Sequence, residues 1–138
     1  MNIAKSAYDD QFQAAVSDVR RYMTRHAQQT GSAVGQSDAA WLKAKFDEFA
    51  LNLLSGKGSP CPHIGRSPMA AHTAAWATHQ LVCPACTDLI KPPEDPDARC
   101  DRCGNTAPQL HPGCAAHGPV LMAYRLCGSC TSAGPEVG

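Results

Sequence analysis

Residues 120–130 read Val120-Leu121-Met122-Ala123-Tyr124-Arg125-Leu126-Cys127-Gly128-Ser129-Cys130, a short alternating segment that runs directly into two cysteines. The segment Val120 to Leu126 has the alternation of a β-strand. Cys127 and Cys130 have the spacing of a metal-binding pair. Two intervening residues let both sulfurs reach one tetrahedral ion, while the following backbone N–H groups turn back onto the thiolates. The spacing recurs in Cys83-Pro84-Ala85-Cys86 and in Cys100-Asp101-Arg102-Cys103. Gly104, immediately after Cys103, supplies the backbone freedom that such a tight turn requires. One pair alone is a weak signal. Three pairs between Cys83 and Cys130, with further Cys and His nearby, are a strong one. Zinc suits the set, being redox-inert and content with four thiolate or imidazole ligands.

The pairs can be combined in three ways. In the first, Cys61 and His63 join Cys83 and Cys86 around one zinc, and Cys100, Cys103, Cys127 and Cys130 hold a second. The second is sequential, with Cys83, Cys86, Cys100 and Cys103 followed by Cys114, His117, Cys127 and Cys130. The third is a cross-brace of Cys83, Cys86, Cys114 and His117 interleaved with Cys100, Cys103, Cys127 and Cys130. The first is preferred because it alone employs Cys61-Pro62-His63, at the cost of leaving Cys114 a free thiol. His72 and His79, seven residues apart on an expected helix, lie about 10 Å apart along its axis, too far for one ion. His26 and His111 are isolated and read as surface or hydrogen-bonded residues.

Outward from this region the composition changes near residue 60. All 11 prolines lie at or after Pro60 and all 8 cysteines between Cys61 and Cys130. Residues 1–59 lack proline, as uninterrupted helices require. Tyr8, Phe12, Val16, Val19 and Met23 recur at helical steps, and Leu42, Phe46, Phe49 and Leu53 form a second stripe, widened by Trp41, Ala50 and Leu54. Ser37 or Asp38 can cap the second helix and Gly56 can stop it. The expectation is a helical hairpin over 1–59, a two-zinc module over 60–130 and a flexible tail over 131–138. A third helix is expected from Met69 to about Val82, with Ser67 as cap and Pro68 in its first position. The fold class is therefore small α+β: a helical hairpin, then a loop-rich zinc module with a third helix and a short ribbon-like β-hairpin. The hairpin alone buries too little surface, so it must pack on the second part, on a partner or on a second copy.

The three Cys-x-x-Cys pairs, with Gly104 after the second, resemble the broad class of small zinc-ribbon and treble-clef proteins over about half the chain. Members of that class mostly serve as binding modules in transcription, translation and protein assembly. The resemblance thus implies binding rather than catalysis. The Ala-rich, Lys-poor composition resembles that of a high-GC bacterial or phage protein.

The chain has 138 residues, 43% of them hydrophobic and 17% charged, with 12 basic against 12 acidic side chains. It is too apolar for a disordered chain and has no apolar run of membrane-spanning length. The start, Met1-Asn2-Ile3-Ala4-Lys5, lacks a secretory pattern, so a cytoplasmic location is expected, where eight cysteines serve metal rather than disulfides. Residues 61–138 carry five Lys/Arg and six Asp/Glu. Two zinc ions and seven thiolates bring that half near −4, a poor attractor for phosphates. Arg20, Arg21 and Arg25 read as a solvated helix face.

Catalytic alternatives fare worse. A zinc deaminase needs His-x-Glu, and no histidine here is followed by glutamate at that spacing. A nuclease recruiting His111 or His117 lacks suitably placed carboxylates. A thiol-disulfide exchanger at Cys83/Cys86 would want a strand before the motif and a helix after it. The expected role is a non-catalytic adaptor or regulator for transcription or phage-assembly machinery, with two structural Zn2+ ions and another protein as partner. Homo-oligomerisation through the N-terminal helices is a further expectation. Nucleic-acid binding is the alternative.

Overall fold

The computed structural model describes residues 3–30, 33–34, 39–65, 68–92 and 98–132. Two helices, α1 (Ile3–Thr30) and α2 (Ala40–Leu54), occupy most of the first part. Six strands form one sheet: β1 (Ala33–Val34), β2 (Ser59–Pro60), β3 (Ala71–Ala74), β4 (Ala77–Val82), β5 (His111–His117) and β6 (Val120–Leu126). Their order across the sheet is β1-β5-β6-β3-β4-β2. A 3₁₀ segment, Pro84–Ile90, follows β4, and a five-residue helix, α3 (Gly128–Ser132), follows β6. The α+β class expected from sequence is the one that forms.

The β5–β6 hairpin lies in the middle of this architecture. It is in antiparallel register from His111↔Leu126 to His117↔Val120, and its turn places Gly118 at φ +56. Strand β6 has the bounds and the alternation read from the sequence. Leu121 and Cys114 face one way, into a cluster with Val19 of α1. Ala115, Met122, Tyr124 and Leu126 face the other way, into a cluster with Leu42, Phe46 and Phe49 of α2. The two N-terminal helices therefore do not stack as an isolated hairpin. They cover opposite faces of the sheet, because a sheet offers each helix a broad apolar surface that a second helix of this composition does not.

The stripes are narrower than expected. On α1, Ala15 and Val19 are buried while Tyr8 is 50% exposed. On α2, Leu42, Phe46 and Phe49 are buried, Ala50 is exposed and Leu54 is 88% exposed. The N-cap of α2 is Ala39, with no side-chain hydrogen bond. At the far end Ser55 N donates to Leu51 O, and Gly56 takes φ +80. Thr78, buried in β4, donates to Glu48 Oε2 at 2.9 Å and accepts from Asn52 Nδ2 at 3.1 Å, tying α2 to the sheet.

The third helix is corrected. Residues 71–82 form the antiparallel pair β3–β4, with β3 also parallel to β6 through Ala71↔Val120 to Ala74↔Ala123. Ala71, Thr73, Ala74 and Ala75 are all buried, so neither a helical nor an alternating pattern shows. A central strand covered on both faces needs small or apolar residues at every position, and alanine serves there despite its helix preference. Tertiary packing decides this segment, not local propensity.

Close approach explains one glycine. A Cβ on Gly113 would collide with the ring of its cross-strand partner Tyr124. The bare backbone lets that ring lie flat and meet Trp41 edge-on at 5.0 Å. Ser59 and Pro60, where the composition shifts, form β2 and pair in parallel with Gln80 and Leu81. Thr131 and Ser132 complete α3 rather than beginning a tail. The cap candidates Ser37, Asp38 and Ser67, loop residues 93–97 and tail residues 133–138 lie outside the described residues.

Candidate metal centres

The first centre is assembled where the parallel strands β2 and β4 end side by side. Cys61 follows β2, and its N–H donates to Leu81 O at 2.9 Å, so the strand register fixes it beside the end of β4. Ile64 N then donates to Cys61 O at 3.1 Å, closing a turn that swings His63 back over the cysteines. Cys83 ends the β4 run, Pro84 starts the 3₁₀ segment, and Cys86 N donates to Cys83 O at 3.0 Å. As a result His63 Nδ1 lies 3.9, 3.6 and 3.2 Å from the sulfurs of Cys61, Cys83 and Cys86.

The second centre clamps the irregular stretch before β5 to the end of β6. Asp101 N donates to Arg125 O at 2.9 Å, and Arg125 N donates to Asp101 Oδ2 at 2.7 Å. This two-way link seats the Cys100–Cys103 turn on the strand. Gly104 N donates to Cys100 O, with Gly104 at φ +78. Beyond β6 the chain winds into α3, where Thr131 N donates to Cys127 O at 2.9 Å and brings Cys130 round. Cys103 Sγ and Cys127 Sγ are 3.8 Å apart.

In each centre the four donor atoms lie within 4.8 Å of one another: Cys61, His63, Cys83 and Cys86 in one, Cys100, Cys103, Cys127 and Cys130 in the other. The residues fit a tetrahedral ion. With zinc–sulfur bonds of about 2.3 Å and zinc–nitrogen bonds of about 2.0 Å, the tetrahedral edges are about 3.8 Å between sulfurs and about 3.5 Å from sulfur to nitrogen. The observed separations bracket those edges. They are far from the disulfide length of about 2.05 Å, and all eight cysteines are free.

The thiols show why a cation suits the clusters. Burial opposes the Cys61 thiolate, but N–H groups of Cys83 and His63 and hydrogen bonds from neighbouring side chains bring its pKa down to about 6. Cys83 N in particular donates to Cys61 Sγ at 3.3 Å. Cys86 is pushed up to about 11 by its hydrogen bonding to Cys83, burial, hydrogen bonding to Cys61 and the charges of both. The second centre repeats this. Burial opposes Cys100, yet backbone N–H groups of Cys103, Cys127 and Arg102 lower it to about 7, whereas Cys130 rises to about 12 through burial and the crowding of the other sulfurs. One thiolate is welcomed in each cluster and a further one is resisted, a conflict that a divalent ion resolves.

These are the groupings of the first pairing. Cys114 and His117 stand apart from both. Cys114 is 1% exposed, between the sheet and α1, and burial pushes its thiol up. His117 is exposed at the end of β5, with its ring 5.4 Å from that of Phe46. His79 and His111 are exposed, His26 is on α1, and His72 is half-buried against Tyr22. Spacing offers no reason to single out Asp101, whose carboxylate holds the second knuckle to β6. No protein-family model, curated protein or solved structure matches the chain. Among the described residues no helix is long and apolar enough to cross a membrane.

Proposed function

We propose that the chain is a non-catalytic zinc protein whose two ions are structural and hold a surface for another protein. The observation that carries this reading is the count of donors: each centre offers four soft ligands, which fills a tetrahedral shell, whereas catalytic zinc keeps a position for water. The positions of the donors agree with a stapling role. One centre ties edge strand β2 to the end of β4, and the other ties residues 100–103 to the end of β6. When bound, zinc supplies fixed charge and cross-linking there; the chain's own residues shape the surface around it.

The partner reading rests on charge. With both ions bound the second half stays near −4, which favours a protein over a polyanion. Residues 111–117 and 120–126 are paired strands, so the irregular stretch 98–110, joined internally by the Arg99–Thr106 bridge, is the zinc-supported surface we assign to the partner.

Thiol–disulfide exchange at Cys83 and Cys86 is the competing reading, because a strand precedes the motif and the 3₁₀ segment Pro84–Ile90 starts within it. That order is the one such chemistry uses, so order no longer argues against it. What favours the metal is the presence of Cys61 and His63 at the same point.

Native mass spectrometry of protein purified without added metal or chelator tests the reading. Two zinc ions per chain with reduced thiols are expected, followed by salt-insensitive capture of a protein partner. A metal-free chain with disulfide mass deficits would overturn it, and salt-dependent binding of DNA or RNA would replace the partner class.

A further inference from the structure

A cavity of about 580 Å³ lies on the α1 face of the sheet, between the last turns of α1, strands β3, β5 and β6, and the 3₁₀ segment, and none of the eight cluster residues lines it. Its size falls in the range of small-molecule pockets, about 300–1,000 Å³. The floor is apolar, with Leu121 and Ala123 of β6, and Ile90 forms part of the far wall. Trp76 stands at one side, oriented by donation from its Nε1 to Ile90 O at 3.0 Å. The ring is thus held by the backbone rather than left to rotate.

The charge of the lining is lopsided. In a chain with 12 basic and 12 acidic side chains, Arg25, Lys91 and Arg125 line this cavity against, among the described residues, a single carboxylate, that of Asp88. Arg125 lies over the Trp76 ring at 5.1 Å, so stacking orients its guanidinium, while its charge also acts on the Asp101 carboxyl. Its Nε, and Nε2 of His72, are buried with no hydrogen-bond partner among the described residues. Buried polar atoms are costly to leave unpaired, and these two, with Thr73 Oγ1, in one cationic and largely apolar cavity mark where a ligand's polar group belongs.

We propose that this cavity binds a small organic anion, with an acidic group, carboxylate or phosphate, directed to Arg125, Lys91 and His72 and an apolar or aromatic body against Trp76 and Leu121. The site goes beyond the structural-zinc reading and shares no residue with the clusters. A ligand there joins α1 to the segment that follows Cys86, so occupancy stiffens the α1 face of the molecule.

The test uses the zinc-loaded full chain and four fragments of one shape: benzoate, phenyl phosphate, benzyl alcohol and benzylamine. Binding is followed in 1H–15N spectra, where the Trp76 indole resonance reports the cavity and that of Trp41, on the opposite face, serves as control. Benzoate or phenyl phosphate should shift Trp76 with Kd of about 1 mM or tighter. Whichever binds better tells a carboxylate ligand from a phosphate one. Lys91→Glu, at an exposed position that disturbs no packing, should weaken that binding about fivefold. Ala123→Phe, which fills the floor, should abolish it with both zinc ions retained. Should Ala123→Phe fail to fold, Lys91→Glu and Arg125→Met carry the test. Equal binding of benzylamine or benzyl alcohol, no shift with any fragment, or an unchanged Kd in Lys91→Glu overturns the proposal. Binding seen only after Glu94→Gln/Asp95→Asn would assign the site to the chain's own acidic segment and overturn it equally.

Discussion

The backbone N–H of Cys83 donates to Cys61 Sγ at 3.3 Å, linking residues 22 apart in the chain. Cys61 is also held by its own N–H on Leu81 O, so the first centre is an extension of the β2–β4 pairing. Because β2 is a two-residue edge strand, Cys61→Ser should release it without melting the rest of the sheet. Native mass spectrometry should then count one zinc instead of two, and hydrogen exchange should quicken at residues 59–64 while β5 and β6 stay protected. Uniform loss of protection across the sheet would show that the first centre holds the whole fold.

The second centre should behave differently. The stretch 98–110 is irregular, held by the Arg99–Thr106 bridge, the Asp101–Arg125 link and a few turn hydrogen bonds besides its cysteines, with too little apolar burial to order itself. Structural zinc contributes on the order of 10 kcal/mol in small modules, so Cys100→Ser or Cys130→Ser should unfold this stretch and lower the melting temperature steeply. Removal of metal with EDTA should do the same to wild type. Two zinc ions and an unchanged melt in Cys130→Ser would contradict a structural role.

Much of this was legible before any coordinates. Val120–Leu126 and the Cys-x-x-Cys knuckles announce themselves because alternation and ligand spacing are local signals. The two helices of the first part are legible for the same reason, through Val19 and Leu42, Phe46 and Phe49. The β3–β4 strands were not, since Ala71–Ala75 are buried on both faces and a continuous small-residue run carries no period. Nor was the placement of the helices on opposite faces of the sheet. The cavity leaves no mark in the sequence because Arg25, His72, Trp76, Lys91 and Arg125 meet only in three dimensions.

Cys114 separates the pairing schemes in solution. It is buried with Val19, Ala70 and Leu121, outside both clusters. Cys114→Ser places a hydroxyl in that apolar setting and should cost about 1–3 kcal/mol in urea unfolding, while zinc stays at two per chain. Burial also raises the thiol's pKa, so alkylation at neutral pH should be slow in the folded protein. Loss of one zinc in Cys114→Ser would restore a scheme that uses Cys114 and His117.

The Thr78 hydroxyl is the polar link between α2 and β4, accepting from Asn52 and donating to Glu48. Thr78→Val keeps the shape and removes both bonds. Because Glu48 is exposed and Asn52 is half-buried, both can turn to water, which limits the cost to about 1–2 kcal/mol. The urea midpoint should fall with the slope unchanged and the zinc count intact. A cost near zero would show that the Leu42, Phe46 and Phe49 contacts alone hold α2 in place.

His72 provides the pH dependence. Burial, and then the charge of His26, hold its pKa below the ordinary value of about 6.5. The unfolded chain therefore binds a proton more readily than the folded one between the ordinary value and the lowered one, and stability must fall as pH drops through that window. Acid also strips zinc from cysteines, so the wild-type curve alone is ambiguous. His72→Gln leaves both centres unchanged, and the difference between the two proteins isolates the ring. Unfolding free energies measured at pH 7.5 and 5.5 should drop further in wild type than in His72→Gln. Parallel losses would mean that the imidazole is protonated without cost, and that His72 Nε2 finds solvent.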